Sequence, residues 1–573
     1  MKTGKRNLGY FHQGSIVNLF TVCCMKVSLK NWFPYLLLAG ILLNATGLFV
    51  DIIEPDSALY AAIAKHIAIT NDWVNLIGDG HDWLDKPHLP FWLSAISFKC
   101  FGISPFAYKL PAFLCWLLGV FYLYKLTATI FSTNTARLGV IIYITALHVL
   151  LSNNDIRAEA YLTAFILAAI FHIYQATFYK WSWHLLYAAF YCALAIMTKG
   201  IFVLVPIAAG FIIYWLFTKQ YKQFLQPKWW LLLLLIVIGM LPELYCLYMQ
   251  FDLHPEKIVF GRNNVSGLSF FFWDSQFGRF FNNGPIQGNG DIFFFLHTFL
   301  WAFLPWSFIT CIAISRLPVK WKKDNNKTWL IVAGSLITGF VLFSLSKFQL
   351  PHYIVILLPH FAIITADYLL SIRTTKTLQR LNILQWGLHV VVAFSMLFLV
   401  FMYGVSSWYI SLFFIMAGTL TSLFVFKGNF ITHLAAKSSC TAIMLFLFLN
   451  TQFYPSLLQY QAGMQAGNWL NKSMTVVKPI MYKCNSYSFE FYNNSLVDRA
   501  TSLESLNALH KNKTITLFTP IKEIAPLKNA GYKIQILQRF SYFHITQLNM
   551  QFLNQNTRNT ALETYVLANC VKQ

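Results

Sequence analysis

The sequence predicts a mainly α-helical, polytopic integral membrane protein with about 13 transmembrane helices. Of the 573 residues, 57% are hydrophobic and only 11% are charged, whereas about a quarter of the residues of a soluble domain are charged. The mean hydropathy is +0.53. The apolar residues form runs of about 20, the length that a helix needs to cross roughly 30 Å of hydrocarbon. This composition excludes a soluble fold.

Thirteen apolar runs are predicted to cross the membrane, and the basic loops orient them. Lys and Arg concentrate in cytoplasmic loops, and thirteen spans with a cytoplasmic N-terminal segment 1–30 place every basic loop on that side. The net charge of +22 is explained by these loops, so no nucleic-acid binding is expected. The predicted spans are residues 32–50, 107–129, 136–152, 159–178, 183–197, 201–217, 229–249, 291–314, 328–345, 352–371, 385–403, 407–426 and 439–455.

The same count places three longer segments outside the cytoplasm. They are a first outer loop at 51–106, a second outer loop at 250–290 and a C-terminal region at 456–573. An amphipathic helix is predicted at 57–69 in the first loop. The C-terminal region is more polar and has strand-like runs at 476–484, 514–519 and 534–537, so we expect a small α/β domain there. The domain between residues 31 and 455 is predicted to be the transmembrane domain.

Charged residues recur on the outer side of the predicted spans. The chain has only 21 acidic residues, and the predicted spans have almost none in their middles, so the acidic residues of the outer loops are informative. We expect the outer charges to converge on one outward-facing cavity. The first loop contains Asp51, Glu54, Asp56, Asp72, Asp79, Asp82, Asp85 and Lys86, and further charged or polar groups are Asp155, Arg157, Glu159, Lys199, Asp274, Arg279, Lys347, His352 and Tyr353.

A cavity with carboxylates and cations beside lipid suits transfer from a lipid phosphate. The leaving phosphate needs cations as its charge develops, and a hydroxyl acceptor needs a carboxylate base. A transporter is the first alternative, but it would place ionisable groups near the bilayer midplane on broken helices. A membrane sensor is the second alternative, but it would usually have a cytoplasmic output domain, and no predicted cytoplasmic loop is long enough. The pattern favours an enzyme.

Several short motifs occur in an order and spacing that resemble a known family. They are Glu54-Pro55-Asp56 with Tyr60 and Ile63-Ala64, Asn71-Asp72-Trp73, Asp85-Lys86-Pro87-His88-Leu89-Pro90-Phe91-Trp92, Asp155-Ile156-Arg157-Ala158-Glu159, Thr198-Lys199-Gly200, Phe277-Gly278-Arg279-Phe280 and Leu350-Pro351-His352-Tyr353. The chain resembles the bacterial aminoarabinose-transferase-like family of GT-C glycosyltransferases, which is related to protein O-mannosyltransferases. The resemblance covers residues 31–370.

The resemblance implies a function and a location. It implies an inverting glycosyltransferase of the bacterial inner membrane with a periplasmic C-terminal domain. The donor would be a sugar on undecaprenyl phosphate or another polyprenyl phosphate, and the acceptor would be lipid A or lipopolysaccharide. A protein or surface-glycan glycosyltransferase of the same fold is the alternative. Membrane lipids are the remaining expected partners.

The resemblance also implies roles for individual residues. Asp56 and Glu159 match the two acids thought to be catalytic, although each also suits the start of a helix. Lys86, Arg279 and Tyr353 match residues near the donor phosphate, although each also suits an interfacial position.

Some members of the family bind a divalent metal. Asp85 matches one metal ligand and is the candidate ligand here. Gln276 stands where the histidine ligand is expected, which leaves His81, His88 or His254 as substitutes. The sequence therefore does not establish a metal site.

Overall fold

The computed structural model describes residues 29–178, 182–405, 407–425, 430–473, 478–510 and 514–572. Apolar helices form the first part of the chain and a mixed α/β domain follows. Most of the predicted N-terminal segment 1–30 lies outside the described residues. The α-helices longer than five residues are Leu29–Thr46, Asp56–Thr70, Leu89–Phe101, Pro105–Ile130, Thr133–Ile144, Leu147–Asn154, Ala158–Phe178, Trp183–Lys199, Leu204–Phe217, Pro227–Leu247, Phe294–Ala302, Ser307–Ser315, Leu317–Lys323, Trp329–Leu345, Leu358–Ser371, Thr375–Tyr403, Trp408–Leu420, Phe430–Phe448, Ala462–Ser473, Tyr487–Tyr492, Leu503–His510 and Ile524–Asn529.

Every predicted span coincides with a helix or with consecutive helices. Within the described residues, seven helices are long and apolar enough to cross a membrane, and an eighth span is formed if Thr133–Ile144 and Leu147–Asn154, which meet at 55°, are counted together. The polytopic membrane class is therefore confirmed, and the count of thirteen stays a prediction. The last long helical run, Phe430–Tyr460, continues past the predicted domain boundary at residue 455.

Local sequence signals explain where several of these helices begin and end. Ser104 and Ser132 precede helices, and each hydroxyl accepts a hydrogen bond from a backbone N–H of the first turn, as N-caps do. Asn71 ends the helix Asp56–Thr70 in the left-handed conformation, with φ of 60°, which Asn tolerates better than most residues.

One helix lies at the centre of the bundle. In Ala158–Phe178, 17 of the 21 residues are buried, and the helix packs against Pro105–Ile130, Trp183–Lys199 and Leu204–Phe217. Its small residues allow this close packing: Gly119 of the first neighbour lies against Ala164, where an added Cβ would come within 3.3 Å of the Ala164 backbone. The first turn of this central helix carries Glu159, so the packing fixes the position of that carboxylate.

The first outer loop folds into a compact layer. The helix Asp56–Thr70 has nine buried residues, so it is enclosed on more than one side. A two-residue turn at Asp79-Gly80 joins the short strands β1 (Ile77–Gly78) and β2 (His81–Asp82). Both turn residues have positive φ, 60° and 76°, which the type I′ hairpin turn requires.

The C-terminal domain is a five-stranded mixed sheet with helices. Its strands are β3 (Ile480–Tyr482), β4 (Asp498–Ala500), β5 (Ile515–Pro520), β6 (Tyr532–Tyr542) and β7 (Glu563–Lys572), in the order β4-β3-β5-β7-β6. β3 is parallel to both of its neighbours, and β7 is antiparallel to both of its own. The three predicted strand runs overlap β3, β5 and β6. The sequence interpretation did not identify β4 and β7.

The first outer loop is held against the C-terminal domain by a buried lysine. Nζ of Lys65, 2% exposed, donates to the backbone carbonyls of Glu490, Phe491, Asn493 and Ser495. Burial lowers the pKa of Lys65 to about 8 although Glu490 opposes the shift. The ammonium thus replaces water as the hydrogen-bond donor to carbonyls at the end of the helix Tyr487–Tyr492.

Further polar contacts join the same two parts of the chain. One carboxylate oxygen of Glu54 accepts hydrogen bonds from the Ser486 hydroxyl at 2.8 Å and from the backbone N–H of Ser488 at 2.6 Å. The Tyr492 hydroxyl donates to Asp51 at 2.9 Å. The first loop and the C-terminal domain therefore share one polar interface.

We expect Lys65→Met to loosen this interface, because it leaves buried carbonyls without a donor. The free energy of unfolding should fall by roughly 2–4 kcal/mol. A protease should also cleave the C-terminal domain, the part of the chain after residue 462, more rapidly. Both are measured on the full chain in detergent. Lys472→Met, at an exposed lysine, is the matched control and should behave as the parent protein. Equal resistance of the two variants would contradict the role given to Lys65.

Candidate active site

Separate outer segments place the predicted site residues at one end of the helical bundle. Each segment presents its residues at an element boundary, where the backbone leaves a helix or turn. Asp56 begins the helix Asp56–Thr70, Asp85 and Lys86 lie between β2 and Leu89–Phe101, Glu159 is in the first turn of Ala158–Phe178, Lys199 ends Trp183–Lys199, Arg279 begins a short helix at Arg279–Phe281, and His352 and Tyr353 lie in the 3₁₀ turn Pro351–Leu357.

A glycine sets the position of Lys199. The helix that Lys199 ends is terminated by Gly200 at φ of 106°, a backbone conformation that residues with a Cβ rarely adopt. A Cβ there would also lie 2.1 Å from the Gln276 amide nitrogen. That amide donates to the Lys199 carbonyl, and its oxygen accepts from the backbone N–H of Phe202, each at 3.3 Å. Gln276 therefore links the second outer loop to the turn that carries Lys199.

Asp85, Lys86 and Arg279 form one partly buried charge cluster. Lys86 donates to one Asp85 oxygen at 2.7 Å and Arg279 donates to the other. Burial alone would raise the pKa of Asp85, but the two cations outweigh it and hold the pKa at about 2. Burial, followed by repulsion from Arg279, lowers the pKa of Lys86 to about 8. Asp85 is ionised at neutral pH, and the cluster keeps an excess of positive charge.

A second ion pair lies between Lys199 and Glu159. The ammonium donates to Glu159 Oε1 and lies 3.7 Å from the centre of the Tyr353 ring, in a cation–π contact. His352 Nε2 is 3.8 Å from the same carboxylate oxygen. Glu159 is 2% exposed, and a buried carboxylate of this kind needs such a partner.

Arg157 connects this pair to the first loop. It forms ion pairs with Asp56 at 2.7 Å and with Asp155 at 2.8 Å, and it donates to His352 Nδ1 at 2.9 Å. Since a guanidinium only donates, Nδ1 of His352 is the acceptor nitrogen. The proton of the neutral imidazole is then on Nε2, which faces Glu159.

Two buried carboxylate oxygens in this network have no hydrogen-bond partner among the described residues. They are Glu159 Oε2 and Asp155 Oδ1. Burial raises the pKa of Asp155 even though Arg157 opposes the shift. Buried polar atoms are normally satisfied, so these two oxygens are available to a hydroxyl group of a ligand.

Two cavities meet at the Lys199–Glu159 ion pair. The first cavity has a volume of about 980 Å³; Lys86, Lys199, Arg279 and Tyr353 line it, together with six phenylalanines. The second cavity has a volume of about 1070 Å³; Asp155, Arg157, Glu159 and His352 line it, together with aliphatic residues that include Ile545 and Leu548 of the C-terminal domain. The ion pair thus joins a residue that lines the first cavity to a residue that lines the second.

The predicted residues are not equally close to the cavities. Lys86, Arg279 and Tyr353 line the first cavity and Glu159 lines the second. Asp56, whose side chain is 41% exposed, reaches the network through Arg157. Asp274 and Lys347 line neither cavity and form no ion pair within the part of the chain that the structure describes. The roles of all these residues stay predictions.

Sequence interpretation gave no role to two neighbours of the site, Glu243 and Tyr60. Glu243 is fully buried in the helix Pro227–Leu247, lines the first cavity and pairs with His88. It lies in the outer third of the predicted span 229–249, so the expectation of almost no carboxylates in the middles of the spans is unaffected. Tyr60, one turn after Asp56, lies near Asp85, Asp56 and Glu159; burial and then these charges raise its pKa well above the usual value.

The residues around Asp85 do not fit a divalent metal. Both Asp85 oxygens already accept from cations, which would repel a metal ion. The Gln276 amide is committed to backbone and Ser275 contacts. His88 pairs with Glu243 and His254 with Glu256. Across the described ranges, no three His, Cys, Asp or Glu side chains are grouped as a metal site requires. We therefore derive no step through a metal.

Comparisons of the sequence find related glycosyltransferases. A sequence model of the dolichyl-phosphate-mannose-protein mannosyltransferase family matches residues 85–246. Undecaprenyl phosphate-alpha-4-amino-4-deoxy-L-arabinose arabinosyl transferases from Shewanella sediminis and Erwinia tasmaniensis are 23% and 24% identical over 327 and 332 residues, in each case 56% of both chains. The chain thus spans little more than half the length of these curated relatives. The predicted resemblance is confirmed.

Comparison of the structure shows the fold. The crystal structure of ArnT from Cupriavidus metallidurans bound to undecaprenyl phosphate matches with a TM-score of 0.74 and 14% identity, over 95% of this chain and 98% of that one. Its apo structure matches with a TM-score of 0.72 and 15% identity, over 94% and 98%. The two outer loops and the C-terminal domain lie within this common architecture. The predicted GT-C fold is confirmed.

We expect Asp85→Asn to destabilise the protein, because it leaves Lys86 and Arg279 as adjacent buried cations. The free energy of unfolding should fall by about 3 kcal/mol. Equilibrium unfolding in mixed micelles measures this difference. Glu256→Gln, at an exposed carboxylate of the second outer loop, is the control and should leave stability unchanged. An Asp85→Asn protein as stable as the control would show that the cluster is solvated.

Proposed function

We propose that the chain is a membrane glycosyltransferase that transfers a sugar from a polyprenyl phosphate to an acceptor on the outer side of the membrane. In a bacterium the carrier would be undecaprenyl phosphate and the acceptor lipid A or lipopolysaccharide. The observation that carries the proposal is the pair of cavities on either side of the Lys199–Glu159 ion pair: three cations and six phenylalanines line the first, and the second is lined by two carboxylates and one guanidinium.

The first cavity suits the lipid-linked donor. Its phenylalanines offer an apolar surface to a polyprenyl chain, and Lys86 and Arg279 offer cationic donors to a phosphate. The Tyr353 ring lines the same cavity, and the Lys199 ammonium contacts it at 3.7 Å from the ring centre. ArnT, which shares this fold, has been crystallised with undecaprenyl phosphate, which supports a polyprenyl phosphate as the ligand.

The second cavity suits the acceptor. It combines aliphatic walls with a polar base formed by Asp155, Arg157, Glu159 and His352, so it fits an amphipathic molecule held in the membrane. The Glu159 oxygen without a partner is the candidate acceptor of a proton or hydrogen bond from the incoming nucleophile. Asp56 forms an ion pair with Arg157 at 2.7 Å and would thereby help to orient Glu159.

The reaction follows from this arrangement. An oxygen of the acceptor forms a bond to the anomeric carbon from the second cavity, and the bond from that carbon to the phosphate oxygen breaks toward the first cavity. Attack opposite the leaving group inverts the anomeric centre. The electron pair of the broken bond stays on the phosphate, where Lys86 and Arg279 stabilise the developing charge. A hydroxyl acceptor gives its proton to Glu159, whereas a phosphate acceptor needs no base.

One observation favours a hydroxyl acceptor and hence a second candidate function. In the second cavity Arg157 already faces two carboxylates, Asp56 and Asp155, so its charge is compensated before any ligand binds. A phosphate acceptor would meet these carboxylates, whereas a sugar or Ser/Thr hydroxyl would use them. Transfer to a surface glycan or a protein is therefore the second candidate.

The orientation belongs to the same proposal. The chain is a multi-span membrane protein, and we place it in the bacterial inner membrane with its N-terminus in the cytoplasm and its C-terminal domain in the periplasm. The basic loops support this orientation. Both cavities would then open on the periplasmic side, where a polyprenyl phosphate donor and lipid A are found together.

We expect loss of transfer when either proposed carboxylate is neutralised. Mass spectrometry of lipid A from the native host should show a sugar-sized increment in the wild type and none after deletion of the gene. Where the acceptor group is a hydroxyl, Glu159→Gln and Asp56→Asn, which preserve shape, should lower the increment by about 10²-fold or more. Asp274→Asn, at an acid outside both cavities, is the matched control and should retain it.

The outcomes of this experiment separate acceptor from mechanism. Unchanged lipid A after deletion would rule out that acceptor and direct the same measurement to surface glycans and proteins. An increment that is lost on deletion but survives in Asp56→Asn would leave the enzyme class intact and show that the role of Asp56 is wrong.

We expect donor use to weaken in alkaline solution because the free enzyme holds Lys86 with a pKa of about 8. The shift is downward, so Lys86 is charged below about pH 8 and loses its proton above it. The value of kcat/KM for the polyprenyl phosphate sugar should then fall by up to about tenfold per pH unit. Lys86→Arg keeps its charge and should abolish this alkaline limb. A limb that persists in Lys86→Arg must come from another group.

A further inference from the structure

A histidine–glutamate pair lies beside the first cavity, outside the groups used above. The side chains of His88 and Glu243 are 1% and 0% exposed, and His88 Nδ1 is 2.9 Å from Glu243 Oε1. The backbone N–H of His88 donates to the other Glu243 oxygen at 3.0 Å. His88 Nε2 is 2.9 Å from the carbonyl oxygen of Val74. Every nitrogen of His88 therefore faces an acceptor.

The number of protons in this pair follows from its partners. The Val74 carbonyl can only accept, so Nε2 of His88 carries a proton. The contact between Nδ1 and Glu243 then requires a second proton between these two atoms. Whether that proton is on the imidazole or on the carboxyl, the pair has no net charge. Burial opposes the charged form of His88, but Glu243 and the Val74 hydrogen bond outweigh it and raise the His88 pKa.

The pair lies beside the first cavity, so its lack of net charge affects the binding of a phosphate there. Glu243 lines the first cavity together with Lys86 and Arg279, and His88 follows Lys86 by two residues. An unpaired carboxylate there would repel a phosphate strongly, since the surroundings are buried and screen charge poorly. Asp72 adds a further negative charge near His88. The proton contributed by His88 removes the Glu243 charge from the cavity.

We propose that His88 is a positioning residue of the donor site, which shares a proton with Glu243 and so cancels a negative charge beside the phosphate of the polyprenyl donor. The inference rests on the proposed function, since it assumes a phosphate in the first cavity. It assigns His88 no contact with substrate. His88 acts through Glu243.

The test is binding of undecaprenyl phosphate to the full chain in nanodiscs. His88→Asn retains a donor near the position of Nδ1 but cannot share a proton, so Glu243 keeps its charge. We expect this variant to raise the Kd about tenfold. Glu243→Gln removes the charge itself and should stay within about threefold of the parent. The double variant His88→Asn/Glu243→Gln should return to about the affinity of Glu243→Gln.

Undecaprenol, which lacks the phosphate, separates charge from shape. His88→Asn should bind undecaprenol as the parent does, because no charge is repelled. Equal weakening for both lipids would indicate a distorted cavity and overturn the proposal. Failure of the double variant to recover undecaprenyl phosphate binding would overturn it as well. If His88→Asn alone does not fold, His88→Gln, which likewise cannot share a proton with Glu243, takes its place in the same comparison.

The failure of this inference is distinguishable from the failure of the proposed function. A parent protein that does not bind undecaprenyl phosphate contradicts the proposed function, whatever the variants do. A parent protein that binds it, together with a His88→Asn protein of unchanged affinity, leaves the donor site in place and rules out the role of His88.

Discussion

The buried ion pair between Lys199 and Glu159 is the interaction on which the arrangement of the site depends. Neither charge is tolerable alone at the top of a lipid-embedded bundle, so each requires the other. Lys199 also lines the first cavity and Glu159 lines the second. Close packing of the central helix fixes the position of Glu159. The turn at Gly200 fixes the position of Lys199, and Gln276 of the second outer loop packs against that turn. Separate elements therefore meet at one electrostatic contact.

The first outer loop transmits this constraint to the C-terminal domain. One side of the loop supplies Asp56 and the Asp85–Lys86 cluster to the site, and the other side supplies Glu54 and Lys65 to the sheet domain. Because Glu54 and Asp56 are separated by one residue, a shift of the domain would displace the partner of Arg157. The C-terminal domain also contributes Ile545 and Leu548 to the second cavity. It is thus coupled to the site through packing as well as through the loop.

The sequence predicted these features to very different degrees. Apolar runs located the helices well, because length and composition alone determine what a bilayer accepts. The predicted site residues came from local motifs, and the structure adds the long-range contacts that motifs lack, such as Arg157 with His352 and Gln276 with Gly200. Glu243 was missed because a lone acid in an apolar run has no spacing pattern. The strand β7 was missed because its residues alternate in burial only in part. Its pairing with β5 and β6 is set by tertiary contacts, which the local sequence does not indicate.

The side chains that line the two cavities have opposite net charge, which favours transfer of the sugar in one direction. Three cations and two carboxylates line the first cavity, and one of those carboxylates, Glu243, is compensated by His88. Two carboxylates and one guanidinium line the second cavity, together with His148 and His352. A leaving phosphate gains negative charge and is favoured on the positive side, whereas a hydroxyl nucleophile loses a proton and is favoured on the negative side. The Lys199–Glu159 ion pair lies between the two regions. The net charge of the lining therefore changes sign where the acceptor would replace the phosphate on the anomeric carbon.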